Sequence, residues 1–302
     1  EQMKTVERLY AQGLENGVPQ IEICGRERLL LLEPKLNADV AGGLYAPTGG
    51  IVEPYRYVFA LVESALKNGV RLQTGFEVAD ATHDGAAHEI HGANGETVRA
   101  RYAINAAGLY ADQVSRAFHA EEYTITPRKG EEFLLEREAA GFPNHVIFPV
   151  PVRNSKGVLV IPTVEGTMML GPTAEVVEDK ADTATTQENL DRVFSQAMHM
   201  VPTISQREII TAFSGSRPVL PGNDFYIGVS KTAPGFLQVA GIQSPGLTAS
   251  PAIAEYVKDL LKQDGLRLVE KPDYDPFLEP LPRVRTAPTE KLNAFVEGDP
   301  RY

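Results

Sequence analysis

Gly241-Ile242-Gln243-Ser244-Pro245-Gly246-Leu247-Thr248-Ala249-Ser250-Pro251-Ala252 is the stretch that decides how this chain folds. It follows Phe236–Ala240, a run with strand character. It precedes Ile253, Ala254, Val257, Leu260 and Leu261, which are apolar at helical spacing. A strand therefore enters a glycine turn and leaves it as a helix. Thr248 or Ser250 is the expected cap, with Pro251 at the first helical position. Backbone N–H groups at a helix start lack intrahelical partners, and the helix dipole strengthens their pull on an anion. Two uses fit these residues alone: a cradle for an anionic group, or an ordinary turn whose glycines serve packing.

Working outward, Tyr102-Ala103-Ile104-Asn105-Ala106-Ala107-Gly108-Leu109-Tyr110-Ala111-Asp112 has the same build, with a helix expected over 109–118. Asp84-Gly85 and Asn94-Gly95 are hairpin turns between strands near 77–81, 88–91 and 97–104. Pro54 opens a helix whose core face is Tyr57, Val58, Leu61, Val62, Ala65 and Leu66. Gly69 ends it and 70–74 reads as a strand, the pattern of an α/β crossover. A helix is expected over 1–16.

Residues 119–216 are mostly β in character, with strands at 132–135, 145–150, 158–162, 168–170 and 208–213. One helix interrupts them, opened by a capping box Thr185-Thr186-Gln187-Glu188. The segment 266–302 is proline-rich and expected to be extended. The layout implies two discontinuous domains, 1–54 with 119–216 and 55–118 with 217–265, followed by the tail.

A chain of 302 residues with 43% hydrophobic and 23% charged content is globular and long enough for one large or two ordinary domains. Its net charge of -11 opposes nucleic acid binding. The single cysteine, Cys24, excludes an internal disulfide and reads as a buried thiol, in keeping with a reducing cytoplasm. No histidine–cysteine cluster has metal-ligand spacing, and no apolar run is long enough for a membrane span. His83, His88 and His91 lie in or beside the meander turns and are expected to face solvent, while His145 and His199 are left open.

The two strand–turn–helix segments, 102–112 and 241–252, resemble those of the D-amino-acid-oxidase-like flavoenzyme superfamily. Gly42 to Pro54 resembles a substrate-side stretch of its glycerol-3-phosphate and L-2-hydroxyglutarate dehydrogenase branch. The resemblance implies α/β and α+β architecture: a truncated FAD-binding Rossmann-like domain plus a substrate domain on a mostly antiparallel sheet. It implies FAD contacts from Val78, Ala107, Gly108, Gly241, Gln243, Ser244, Pro245, Gly246, Leu247 and Thr248. A reducing flavin gains negative charge at its N1/C2 carbonyl edge, which a helix start stabilises.

Ser214-Gly215-Ser216-Arg217-Pro218 resembles the family's Gly-x-Arg-Pro turn. By that resemblance Arg217 grips the substrate's carboxylate or phosphate, which a guanidinium fork matches. Arg128-Lys129-Gly130-Glu131-Glu132-Phe133 aligns with the segment entering the substrate domain but matches neither the glycerol-3-phosphate nor the hydroxyglutarate pattern fully. Lys129 is the candidate for added charge or for the base. Tyr45 is a candidate pocket residue, with a structural role as the alternative.

No Gly-x-Gly-x-x-Gly fingerprint occurs in these residues. The resemblance therefore implies that a strand, a helix and a second strand are missing, and that flavin binding by this segment is weak or absent. Residues 297–302 resemble the linker to an iron–sulfur module in some relatives. The expected activity of the parent is FAD-dependent oxidation of a small anionic secondary alcohol. The alternatives are a non-catalytic anion-binding fragment and a parent of the amino-acid-oxidising branch. The electron acceptor stays open, and homo-oligomerisation through an exposed sheet edge is compatible with the pattern.

Overall fold

The computed structural model describes residues 1–137, 139, 141–151, 157–278 and 287–298, which form two compact units. The larger comprises Glu1–Glu53 and Gly75–Leu268. It begins with α1 (Gln2–Glu15), β1 (Glu22–Gly25), α2 (Arg26–Leu32) and β2 (Gly42–Tyr45), in which β1 and β2 pair antiparallel. Cys24 is buried there, and burial pushes its thiol up from the usual value, so it is held as an unreactive thiol.

In the smaller unit, α3 (Pro54–Lys67) lies beside the start of the tail. Lys67 pairs with Asp275 at 2.6 Å, and Asn68 exchanges two hydrogen bonds with the Asp275 backbone. None of the expected core face of α3 is buried, because a helix and a short tail segment offer too little surface to cover it. Residues 70–74 form no strand, since no neighbouring strand pairs with them among the described residues.

In the larger unit, β3 (Val78–His83), β4 (His88–Gly92) and β5 (Thr97–Ala100) form the expected meander. The last expected strand is split, because β6 (Ala103–Asn105) leaves for a second sheet. His88 corrects the reading of the meander histidines. It is 2% exposed, its Nε2 lies 2.8 Å from the Pro234 carbonyl, and its ring packs edge-on against Phe118. Burial lowers its pKa from the usual value, so the ring is held neutral.

The chain continues through α4 (Ala111–Ala117), β7 (Thr126–Leu135), β8 (Leu159–Pro162), β9 (Met168–Gly171) and β10 (Glu175–Val176). Next come α5 (Gln187–Met200), β11 (Ile209–Val219), β12 (Tyr226–Val229), β13 (Phe236–Ala240), α6 (Gly246–Gln263) and, in the tail, α7 (Thr289–Gly298). The tail is thus not wholly extended. The expected strand 145–150 is reduced to one bridge, Ile147 to Val160.

The largest sheet is antiparallel: β7 is its spine, with β11 on one edge and β9 and β10 on the other. Its side chains alternate as the strand period requires. Phe133 and Leu135 point into a core with Val160, Met168, Leu170, Val193, Phe194 and Ala197, the last three supplied by α5. The cap of α5 is Thr186, whose side chain accepts from Asn189 N–H. The expected box partner Glu188 is displaced, because the buried Glu131 accepts from Thr186 N–H at 2.7 Å and from Asn189 Nδ2 at 2.7 Å.

Candidate functional site

The sheet β12-β13-β6 places two connections at one edge. β6 and β13 run parallel with Asn105 opposite Gln238, so both chains leave the sheet on the same side. The register is held by a buried polar network. Asn105 Nδ2 donates to Gln238 Oε1 at 2.9 Å and to the Ala111 carbonyl at 2.7 Å. Gln238 Nε2 donates to Ser115 Oγ at 2.6 Å, and Tyr123 OH donates to Gln238 Oε1 at 2.9 Å. Burial pushes the Tyr123 hydroxyl up to about 12, so it stays a donor. Asn105 Oδ1 in turn accepts from Ala107 N–H at 3.3 Å and shapes the turn through Ala107 and Gly108.

The second connection is Gly241–Thr248. Gly241 has φ +69, and a side chain there would strike Leu220 at 2.6 Å. Gly246 packs over Ile242 and donates to the Gln243 carbonyl at 2.6 Å. Ala249 N–H reaches the Pro245 carbonyl at 3.0 Å. The helix therefore starts at Gly246, five residues before the expected Pro251, and no side chain caps it. Pro251 is tolerated inside because Ser250 Oγ donates to the Leu247 carbonyl, at 2.8 Å, that a residue 251 N–H would otherwise serve. The N–H groups of Leu247 and Thr248 are left as first-turn donors, and both residues are exposed. Ala106, Ala107, Ser244 and Pro245 are exposed at the same edge. Val78 stands apart from these loops in sequence and sheet, at the start of β3, partly buried on the Phe118–Phe236 cluster.

The third component is the open face of the β7–β11 pair. Ser214-Gly215-Ser216-Arg217-Pro218 is strand rather than turn, because β11 runs unbroken to Val219. Alternation turns Ser214 and Ser216 toward the face of Lys129 and Glu131, and Arg217 toward that of Arg128, Gly130 and Glu132. Arg217 crosses β7 above Gly130 and donates from Nη2 to the Thr173 carbonyl at 2.7 Å. Its other N–H groups meet no acceptor among the described residues. Burial makes its charge costly, and Glu132 offsets part of that cost.

Lys129 is on the other face: its ammonium is buried and held by Asp182 at 2.7 Å and the Ala184 carbonyl at 2.8 Å. Tyr45 packs edge-on against His145, whose Nδ1 lies 3.3 Å from the buried Glu33. The structure thus brings Ala107, Gly108 and 241–248 to one sheet edge and Arg217 to an open sheet face. Asn223 connects the two, with Oδ1 accepting from Gln243 Nε2 at 3.0 Å and from Arg128 Nη1 at 3.4 Å. Arg128 and Glu132 had no role in the sequence reading. The two-residue period of β7, counted from Gly130, was the signal that places them beside Arg217.

Residues 1–260 match the family described as FAD dependent oxidoreductase, abbreviated DAO. The chain belongs to the FAD-dependent oxidoreductase family. It is 37% identical over 302 residues to a glycerol 3-phosphate dehydrogenase of Caloramator mitchellensis, covering all of this chain and 63% of that protein. It is 30% identical over 277 residues to a glycerol 3-phosphate oxidase of Mycoplasma pneumoniae, covering 89% of this chain and 71% of that one. The solved structure of dithionite-reduced L-α-glycerophosphate oxidase from Mycoplasma pneumoniae with FAD bound superposes with a TM-score of 0.86 at 29% identity, over 94% of this chain and 74% of that chain. The chain thus spans a little under two thirds of the first relative's length.

The mixed fold with its antiparallel sheets is the one this FAD-dependent oxidoreductase family uses. Its residues fit a flavin: Leu247 and Thr248 amides stand at an uncapped helix start, beside small exposed residues at the carboxyl ends of parallel strands. Among the described residues no helix is long and apolar enough to cross a membrane.

Proposed function

We propose that this chain forms the substrate-binding and part of the flavin-binding structure of an enzyme that oxidises a small anionic secondary alcohol, glycerol 3-phosphate in first place and a 2-hydroxy acid in second. The observation that supports this is the cross-strand pairing of Arg217 with Arg128 on an open sheet face. Two guanidinium groups on neighbouring strands suit a dianion such as a phosphate monoester, which accepts several charge-assisted hydrogen bonds. A monocarboxylate needs only one. Regions 1–54 and 119–216 serve the substrate in this reading, and 55–118 and 217–265 serve the flavin, with Arg217 at their boundary reaching the substrate.

When bound, FAD would supply the redox chemistry, its isoalloxazine N5 being the acceptor for the carbinol hydride. The chain's own residues do the rest. Arg217 holds the anionic group, with its fork kept in place by the Thr173 carbonyl. Leu247 and Thr248 amides face the charge that develops on reduction. Gly241, Gln243, Ser244, Pro245 and Gly246 shape their approach, as Ala107 and Gly108 do on the neighbouring strand. Val78 would stand at the adenosine end. Lys129 supports the sheet from its buried face, and to act as a base it must first leave Asp182. The 302 residues carry no Gly-x-Gly-x-x-Gly run, so this chain by itself holds FAD weakly.

Anaerobic mixing of the protein, saturated with excess FAD, with glycerol 3-phosphate, L-2-hydroxyglutarate and glycine tests the reading. Bleaching of the flavin absorbance is expected with glycerol 3-phosphate fastest. Fast bleaching by glycine alone assigns the protein to amine oxidation instead.

A further inference from the structure

We propose that Glu132 is the specificity-determining residue of this site, accepting a hydrogen bond from a substrate hydroxyl while Arg217 holds the anionic group. The inference rests on the anion-holding role given to Arg217 above.

The register and the glycines around Glu132 carry it. Glu132 lies on β7 opposite Phe213, on the face that Arg217 shares. Its side chain leans over Gly171, where an added Cβ would come within 2.7 Å of Glu132 Cγ. Arg217 leans over Gly130, where an added Cβ would come within 2.5 Å of Nη2. Gly171 and Thr173 bound the same short connection between β9 and β10, so the carboxylate and the guanidinium converge on it from two directions. They are close enough to feel each other's charge, yet they make no ion pair. Opposite charges that converge on a half-open face without touching leave room for a ligand between them.

The other enclosed carboxylates of the larger unit each accept at least two hydrogen bonds, although Glu33 does so through Oε2 alone and leaves Oε1 without a partner. Glu131 accepts from Thr186 and Asn189, Asp112 from Lys180 and Ile125, Glu33 from Asn144 and His145, and Glu121 from Lys231 and Ser230. Glu132 has no hydrogen-bond partner among the described residues. An enclosed carboxylate without a donor is costly, and burial pushes its pKa up accordingly. A substrate donor removes that cost, so a ligand with a hydroxyl near its anion gains what a bare anion cannot. The charged groups facing it are Arg217 from β11 and, beyond that, Arg128 from β7 itself; β9 presents Gly171 there.

Calorimetric titration of the purified chain with inorganic phosphate, glycerol 3-phosphate and O-phosphoethanolamine tests this in wild type, Glu132→Ala, Glu132→Gln and Arg217→Met proteins. Wild type is expected to bind glycerol 3-phosphate about tenfold more tightly than phosphate, the size of one hydrogen bond to a charged group. Glu132→Ala is expected to lose that preference while holding phosphate at least as tightly, and Glu132→Gln to recover part of it. Retention of the preference in Glu132→Ala overturns the proposal, as does a larger gain for O-phosphoethanolamine, which assigns Glu132 to an ammonium. Arg217→Met is expected to lose phosphate and glycerol 3-phosphate alike. Unchanged phosphate affinity there, or none in wild type, overturns the Arg217 reading itself.

Discussion

The Arg217 guanidinium lies directly over Gly130, where a Cβ would come within 2.5 Å of Nη2 and 2.8 Å of Pro172 Cβ. The glycine is what lets a side chain from β11 cross β7 and reach the Thr173 carbonyl. Gly130→Ala is therefore expected to cost about 1–3 kcal/mol by overpacking and to push the guanidinium out of place. A thermal melt combined with phosphate titration checks it. A folded Gly130→Ala protein that binds phosphate as well as wild type would show that the crossing is unimportant.

Gln238 and Asn105 tie β13 to β6 through hydrogen bonds that also engage Ser115, Tyr123 and Ala111. Gln238→Leu has similar volume but takes one buried hydrogen bond each from Asn105, Ser115 and Tyr123. The expected loss is about 3 kcal/mol, read by chemical denaturation. Since Asn105 also orients Ala107, chemical shifts of the 105–108 amides are expected to move in the same variant.

Asp112 is a sensor of acid. Burial pushes its carboxyl up, but Lys180 at 2.6 Å and the Ile125 N–H outweigh that and hold it below the usual 3.8. A depressed native pKa contributes stability above the unfolded value and loses it as pH falls through the native value. Asp112→Asn is expected to be less stable than wild type at neutral pH, with the gap closing as pH falls below about 4. Melting temperatures of both proteins across that range decide it, and a gap independent of pH would count against the ion pair.

Lys129 makes its ion pair on the buried face, away from Arg217. Lys129→Met is expected to cost about 1–2 kcal/mol, because Asp182 is partly exposed and can be hydrated while the Ala184 carbonyl loses its donor. Phosphate affinity is expected to change less than threefold, on the order of the scatter for a side chain that does not touch the ligand. A loss as large as that in Arg217→Met would place Lys129 in the site.

The turn at 241–246 was legible because glycine and proline punctuate it, and the meander because Asp-Gly and Asn-Gly demand tight turns. Ser214–Pro218 was expected as a turn from its resemblance to the family's Gly-x-Arg-Pro segment, and it is strand. β11 is an edge strand, where Pro218 removes no ladder bond and Gly215 faces outward. The start of α6 moved to Gly246 because Ser250 supplies the bond Pro251 cannot, a substitution of side chain for backbone that propensity does not encode. His88 is buried only because Pro234 and Phe118, distant in sequence, close over it. Arg128 and Glu132 became readable once the register of β7 against β11 was known. Sequence shows their alternation but not which face stays open.

The most direct measurement is the rate of flavin bleaching by glycerol 3-phosphate in wild type and Arg217→Lys proteins saturated with excess FAD. Lysine keeps the charge and loses the fork. The account predicts a fall in kcat/KM of about a hundredfold, carried mainly by KM, with the flavin spectrum unchanged. A value for Arg217→Lys within about twofold of wild type would contradict it.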